Sequence, residues 1–317
     1  MKVGIFVEGQ EGMTWENWKR WVTMTEDLGF ESIWRSDHLY SLFEHPERPA
    51  LECWTALTWV ASHTSRIKFG PLVSPMTFRP PSMLALQVAA ISDLSNGRLV
   101  LGIGAGWHAG EHKAFGLPFP SVRERMDRMD NATELFLAAF GSDISSVSGP
   151  HYTLDEAAVH PRLAQRPPLM IGGRGEKRVL RSVAKYADEW NIGGVTPARF
   201  RAKNEILTRH CDDVGRDPST ILRSSAHLHI VGNTDAELER RLTQLEPFIS
   251  NFAPPGTARS PEALRELGWF YGRPAEVVEQ IKAMEAEGIE RVMFQTMELR
   301  DEEEFELIAA EVLPHVS

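Results

Sequence analysis

Short β-branched or apolar runs alternate with longer segments of helical period along this 317-residue chain, and that alternation constrains the fold more than any other feature. It is the pattern of repeated strand-helix units on a parallel sheet. The runs fall at residues 2–7, 31–36, 67–73, 98–103, 168–171, 188–192, 222–231 and 290–296, and eight of them suit a closed barrel. The length is that of one domain of this kind, since α/β barrels take about 200 to 300 residues without dividing. Between strands, Val122, Met126, Met129, Phe136 and Phe140 recur along one predicted helix face, and Val277, Ile281 and Met284 do the same near the end. Gly29 and Gly288 each stand between a helix and a strand, where a left-handed cap is expected.

Three stretches exceed the minimal barrel: 39–51, 141–167 and 248–272. They are rich in Pro, Gly or Ser, and long loops in compact domains usually serve as lids or binding loops. The first follows strand two and so belongs to the catalytic face. Ser148 to Pro161 is a candidate hairpin, and Pro254, Pro255 and Gly256 read as a turn.

A net charge of -10 argues against a nucleic-acid partner, whose phosphates select clustered Lys and Arg. Cys53 and Cys211 are too few for a disulfide framework or a structural zinc site and read as buried thiols. Met1 leads straight into a strand, with no basic leader and no apolar stretch of the ~18 residues a membrane span needs. The expectation is a cytoplasmic protein with no membrane partner.

The residues able to do chemistry gather where strands end, and in a parallel barrel those ends carry the active site. Ser36, Asp37 and His38 close strand two. Histidine gains or loses a proton near neutral pH, so His38 is the candidate acid or base, with a loop-capping role as the alternative. The run LVLGIGAGWHAGEH (99–112) ends strand four in Gly102, Gly104 and Gly106, then opens a loop with Trp107. Small residues there let a backbone press against a flat ligand. After strand five come Gly172, Gly173, Arg174 and Gly175, followed by a helix expected near Glu176 and Lys177. Exposed amides, glycines and an arginine suit a phosphate cradle, and a tight turn is the alternative.

His108, Glu111 and His112 match the inverted zinc-protease pattern H-x-x-E-H. The match follows a strand and a glycine turn and contains Gly110, which disqualifies it as a regular helical ligand face, so no metal is expected. His227 and His229 alternate along strand seven and read as packed or hydrogen-bonded histidines of the barrel interior. Asp301 to Glu304 reads as a solvated helix start.

The stretches GFESIWRSDH (29–38), ECWTALTWVASHTSRIKFGPLVSPMTFRPP (52–81), LSNGRLVLGIGAGWHAGEHKAFGLPFP (94–120) and PPLMIGGRGEKRVLRSVAKYADEWN (167–191), in that order, resemble the bacterial luciferase-like superfamily. Within it, GAGW followed by EH and AFG, together with IGGRGEK, is most similar to the F420-dependent oxidoreductases. The resemblance implies one luciferase-like (β/α)8 TIM barrel over 1–317 with loop insertions. It further implies a homodimer and a site for the deazaflavin coenzyme F420, or alternatively FMN, at the carboxyl ends of the strands.

By position it implies a non-proline cis peptide at Leu72-Val73, behind the cofactor ring. Asp37 and His38 match residues that contact the ring or supply a proton. Gly104, Ala105, Gly106 and Trp107 match the stretch beside the ring, and Gly172 to Gly175 the phosphate contacts. One departure stands out. Sugar-phosphate dehydrogenases of the superfamily carry a catalytic Glu where this chain has Trp107, and an indole only donates a hydrogen bond. Trp107 therefore suggests an apolar or aromatic small-molecule substrate. Hydride transfer with F420 is the favoured reaction; FMN-dependent monooxygenation and a non-catalytic flavin-binding barrel or partner subunit are the alternatives.

Overall fold

In the computed structural model, which describes residues 1–42, 46–252, 260–296 and 301–316, parallel strands close into a barrel with helices outside. The strands are β1 (Lys2–Val7), β2 (Ser32–Arg35), β3 (Lys68–Pro71), β4 (Ser74–Pro75), β5 (Leu101–Gly104), the hairpin β6 (Ser145–Ser148) and β7 (Thr153–Ala157), β8 (Leu169–Gly172), β9 (Glu189–Gly193), β10 (Leu222–Val231), β11 (Phe270–Gly272) and β12 (Arg291–Thr296). The helices are α1 (Trp15–Asp27), α2 (Cys53–His63), α3 (Pro81–Leu94), α4 (Ala109–Ala114), α5 (Val122–Gly141), α6 (Val179–Tyr186), α7 (Pro197–Val214), α8 (Asp235–Phe252), α9 (Pro261–Glu266), α10 (Pro274–Ala286), α11 (Glu302–Glu311) and α12 (Leu313–Val316).

The ring runs β3-β2-β1-β12-β10-β9-β8-β5-β4. The third stave is split, β3 reaching the start of the β5 stave through the Phe69–Leu99 bridge and β4 pairing with β5 itself. Counted by stave the barrel has the eight strands expected, and the split falls at a cis Leu72-Val73 peptide, also as expected. β11 adds to the end of β10 outside the ring, from within the 248–272 stretch. Pro254, Pro255 and Gly256 lie outside the described residues. No described helix is long and apolar enough to cross a membrane.

Local chemistry sets the helix ends. Thr14 caps α1 by accepting from the Asn17 amide, and Trp18, Trp21, Val22 and Thr25 form its buried stripe at helical spacing. Gly29 and Gly288 adopt the expected left-handed conformation, at φ 89° and 95°. In α5, Met126, Met129 and Phe136 are buried and Phe140 partly so, but Val122 is 66% exposed. Val122 is the first residue after the Ser121 cap.

Inside the barrel Phe6, Trp34, Val100, Met170, Ala226 and Met293 pack together, with Leu72 and Val73 partly buried against them. At the amino-terminal end of the strands Arg291, 1% exposed, donates to both Glu31 oxygens at 3.0 Å and to Glu189, with its guanidinium 5.4 Å from the Trp34 ring. His227 and His229 are packed and buried, but not in the interior. They stand on the face of β10 opposite Ala226, against Phe270 and against Phe294 and Phe305 respectively. The expectation failed because alternation along a strand shows which residues share a face and not which way that face points. Likewise Asp301 and Glu304 are buried rather than solvated, Asp301 paired with Arg241 at 2.9 Å and Glu304 accepting from the Val231 amide at 2.7 Å.

Candidate functional site

At the carboxyl end of the ring a cavity of about 580 Å³ opens over the interior core. Phe6, Leu72, Val73 and Ala226 line it from below, and Trp107, Leu228, Leu267 and Trp269 add apolar walls. Its polar edge comes from Asn191, Gln295, Arg174 and Arg199. Leu72, Val73, Trp107, Gly172, Gly173 and Arg174 are thus brought together as the sequence suggests. Asp37, His38, Gly104, Ala105, Gly106 and Gly175 are not among the lining residues.

Those six stand around the cavity in distinct ways. Both Asp37 oxygens are engaged, one by the Ser74 hydroxyl at 2.6 Å and both by the Arg79 guanidinium. Burial works against the charge of Arg79, but the adjoining Asp37 carboxylate outweighs it and holds Arg79 above its ordinary range. Asp37 therefore ties β2 to the β4 segment. The Gly104 carbonyl accepts from the Met76 amide at 3.0 Å, and the Gly106 carbonyl from Arg125 at 3.2 Å. Ala105 is half-buried against the main core. Trp107 is 65% exposed, with its ring 5.8 Å from the His38 ring and nearly perpendicular to it.

His38 does not line the cavity itself but meets Trp107, which does. Its Nδ1 lies 2.8 Å from Glu111 Oε2, while Glu111 Oε1 accepts from the Leu39 amide at 2.6 Å. Burial lowers the affinity of His38 for a proton, but the bond to Glu111 and the charges of Glu111, Glu8 and Asp37 outweigh it, raising its pKa. Of the H-x-x-E-H residues, Glu111 and His112 lie in the six-residue helix α4 and His108 stands just before it. His108 caps that helix through Nδ1, and His112 uses Nδ1 on the His108 carbonyl and Nε2 on the Thr77 hydroxyl, both at 2.8 Å.

The Gly172–Gly175 segment bends at Gly173, whose φ of +135° favours glycine. A Cβ on Gly172 would stand 3.0 Å from Val73, so the bare backbone there keeps the cavity open. The following helix begins at Val179, three residues later than Glu176, because residues 176–178 form a turn and Arg178 is drawn to Asp127 and Asp130 on α5.

The described part of the 39–51 stretch, residues 39–42 and 46–51, lies on the same end of the barrel as expected. Ser41, Leu42 and Arg48 all donate to the buried Glu11 carboxylate, at 2.8, 2.8 and 2.9 Å. Sequence reasoning missed Phe6, Asn191, Gln295 and Leu228, although each lies on or at the end of a recognised strand in the inward register. Arg199, Leu267 and Trp269 carry no comparable local signal.

The chain matches the sequence profile of the luciferase-like monooxygenases over residues 1–291. It is 34% identical over 163 residues to an F420-dependent glucose-6-phosphate dehydrogenase of Kineococcus radiotolerans, covering 51% of this chain and 46% of that one. It is 28% identical over 215 residues to an F420-dependent hydroxymycolic acid dehydrogenase of Mycobacterium tuberculosis, covering 67% and 58%. The chain thus spans about half the length of these curated relatives. Among solved structures, an F420-dependent secondary alcohol dehydrogenase in complex with an F420-acetone adduct superposes with a TM-score of 0.85 at 18% identity, covering 100% of this chain and 99% of that one. At that identity the likeness shows the fold.

Proposed function

The chain belongs to the luciferase-like monooxygenase family, and from that premise we propose that it is an oxidoreductase transferring a hydride between F420 and an apolar or aromatic small molecule. The observation that carries the reading is the cavity: an apolar floor, a glycine edge at Gly172 and Gly173, and Arg174 and Arg199 at its rim. Those residues fit the group. A planar ring would find room over the apolar floor where Gly172 lacks a Cβ, and an anionic tail would meet the guanidinium groups of Arg174 and Arg199, the Gly173 amide being committed to the Asn191 carbonyl at 2.9 Å. F420 dependence of the curated relatives supports the choice of this coenzyme over FMN.

The chemistry such a group supplies when bound is hydride transfer, because carbon replaces the oxygen-reactive nitrogen of a flavin ring. The chain's own part is binding, orientation and proton handling. Leu72 and Val73 would support the ring, and Gly172 to Arg174 would hold the tail. Trp107, Leu228, Leu267 and Trp269 exclude water and receive the apolar part of the substrate. His38 holds or releases a proton at Nε2. The relatives named for sugar-phosphate and mycolic-acid substrates bracket the substrate class, and the apolar walls favour the less polar end of it. The homodimer implied by the resemblance is part of this proposal, and mass in solution checks it.

The test is spectroscopic titration of the purified protein with F420 and, separately, with FMN. Saturable binding of F420 with weak or no binding of FMN is expected. Tight binding of FMN alone would reverse the reading in favour of flavin-dependent monooxygenation, and oxygen-dependent turnover would follow.

A further inference from the structure

Glu111 is 0% exposed, yet it sits in α4, a helix of only six residues. A buried carboxylate is costly unless its oxygens are paired, and here the pairing has a direction. Oε1 is taken by the Leu39 amide at 2.6 Å. Oε2 faces two imidazoles, His38 Nδ1 at 2.8 Å and His108 Nδ1 at 3.4 Å. His108 Nδ1 already accepts from the Glu111 amide at 3.3 Å as the cap of α4, so that nitrogen carries a lone pair and cannot also present a hydrogen to the carboxylate. His38 is left as the imidazole that donates to Glu111, and a His38 that donates from Nδ1 has its exchangeable site at Nε2. α4 is itself pinned by His112, through the Thr77 hydroxyl and the His108 carbonyl, so Glu111 does not drift from this position.

We propose that Glu111 is the positioning residue for proton transfer at His38: its carboxylate holds the Nδ1 hydrogen, fixes the ring beside Trp107 and leaves Nε2 as the atom that gives or takes the proton. The use of that proton rests on the hydride-transfer reading above, whereas the pairing does not. Other groups face His38 more weakly. Glu8, at the end of β1, acts by charge while its oxygens are occupied by Gln10 and Gln295. Asp37 is offset by Arg79, and His108 is kept from protonation chiefly by burial.

The experiment is ¹⁵N NMR of histidine-labelled protein without cofactor, with His38→Gln used to assign the His38 ring nitrogens. In wild type, neutral His38 should carry its hydrogen on Nδ1, and its midpoint should lie above that of an unstructured histidine. Glu111→Gln is the informative variant. Its amide oxygen must stay on the Leu39 amide, which turns the NH₂ group toward His38 Nδ1 and makes that nitrogen an acceptor. The variant should therefore move the neutral tautomer to Nε2–H and lower the midpoint by about one unit or more. A midpoint and tautomer indifferent to Glu111→Gln would overturn the proposal. So would a wild-type neutral His38 protonated on Nε2, a result that needs no variant to fold. In F420-linked turnover, Glu111→Gln should lower kcat about tenfold or more and shift the pH profile with the NMR midpoint, leaving F420 affinity unchanged. Failure to bind F420 would refute the hydride-transfer reading while the NMR result on Glu111 stands by itself.

Discussion

His38 owes its character to three acids that surround it rather than to its own exposure, and its replacement separates chemistry from binding. His38→Gln should lower turnover about a hundredfold, the scale of a lost general acid or base, with F420 affinity unchanged in the same titration. Retained turnover would remove His38 from the mechanism. Gly173→Ala places a side chain at φ +135° and should cost about 1–3 kcal/mol in urea denaturation. Two other histidines govern acid stability. Burial lowers His227 to about 4 and His229 to about 3, so below the ordinary value of 6.5 the unfolded chain takes up protons that the folded chain refuses. Stability should fall as pH drops from 6.5 toward 4. Burial pushes Glu304 up to about 8, so between 4.5 and 8 it acts in the opposite sense. Glu304→Gln should therefore steepen the acid-side decline of the melting temperature. His38 and Gly172–Gly175 were legible because they directly follow, or end, apolar runs. Arg199 and Trp269 were not, since only tertiary folding brings the start of α7 and the approach to β11 to the cavity.

Elements were easier to read than their edges. All eight staves fell within or close to the expected runs because each is a short apolar segment bounded by turn residues, such as Lys2–Val7 and Arg291–Thr296. The run 67–73 holds only β3, and the stave resumes just past it as β4 at Ser74–Pro75; hydrogen-bonding with the neighbouring stave rather than residue type decides that break. The hairpin within 141–167 begins at Ser145, three residues before the expected Ser148, and is moored from outside itself. Asn131 of α5 accepts from the His151 and Tyr152 amides at 3.1 and 2.8 Å, and the Tyr152 hydroxyl donates to the Met76 carbonyl at 2.8 Å. Tyr152→Phe removes only the last of these. It should cost about 1 kcal/mol and speed proteolytic nicking near the hairpin while leaving α5 intact.

Across the whole molecule the two ends of the barrel are built from different chemistry on the same staves. The amino-terminal end is closed by Arg291 between Glu31 and Glu189, one guanidinium tying β12 to the approaches of β2 and to β9. Arg291→Ala leaves Glu189 buried without its cation and should cost about 3–5 kcal/mol in denaturant unfolding. Arg291→Lys should recover only part of that, because an ammonium cannot fork onto Glu31. The carboxyl-terminal end carries the cavity, and its walls at Leu228, Leu267 and Trp269 form a separate cluster with α8 and α9. Since the clamp at Arg291 lies at the far end from these walls, libraries randomising Leu267 and Trp269 can explore new chemical preferences on a scaffold whose integrity is underwritten elsewhere. Evolvability of this chain is thus a property of where its guanidinium sits.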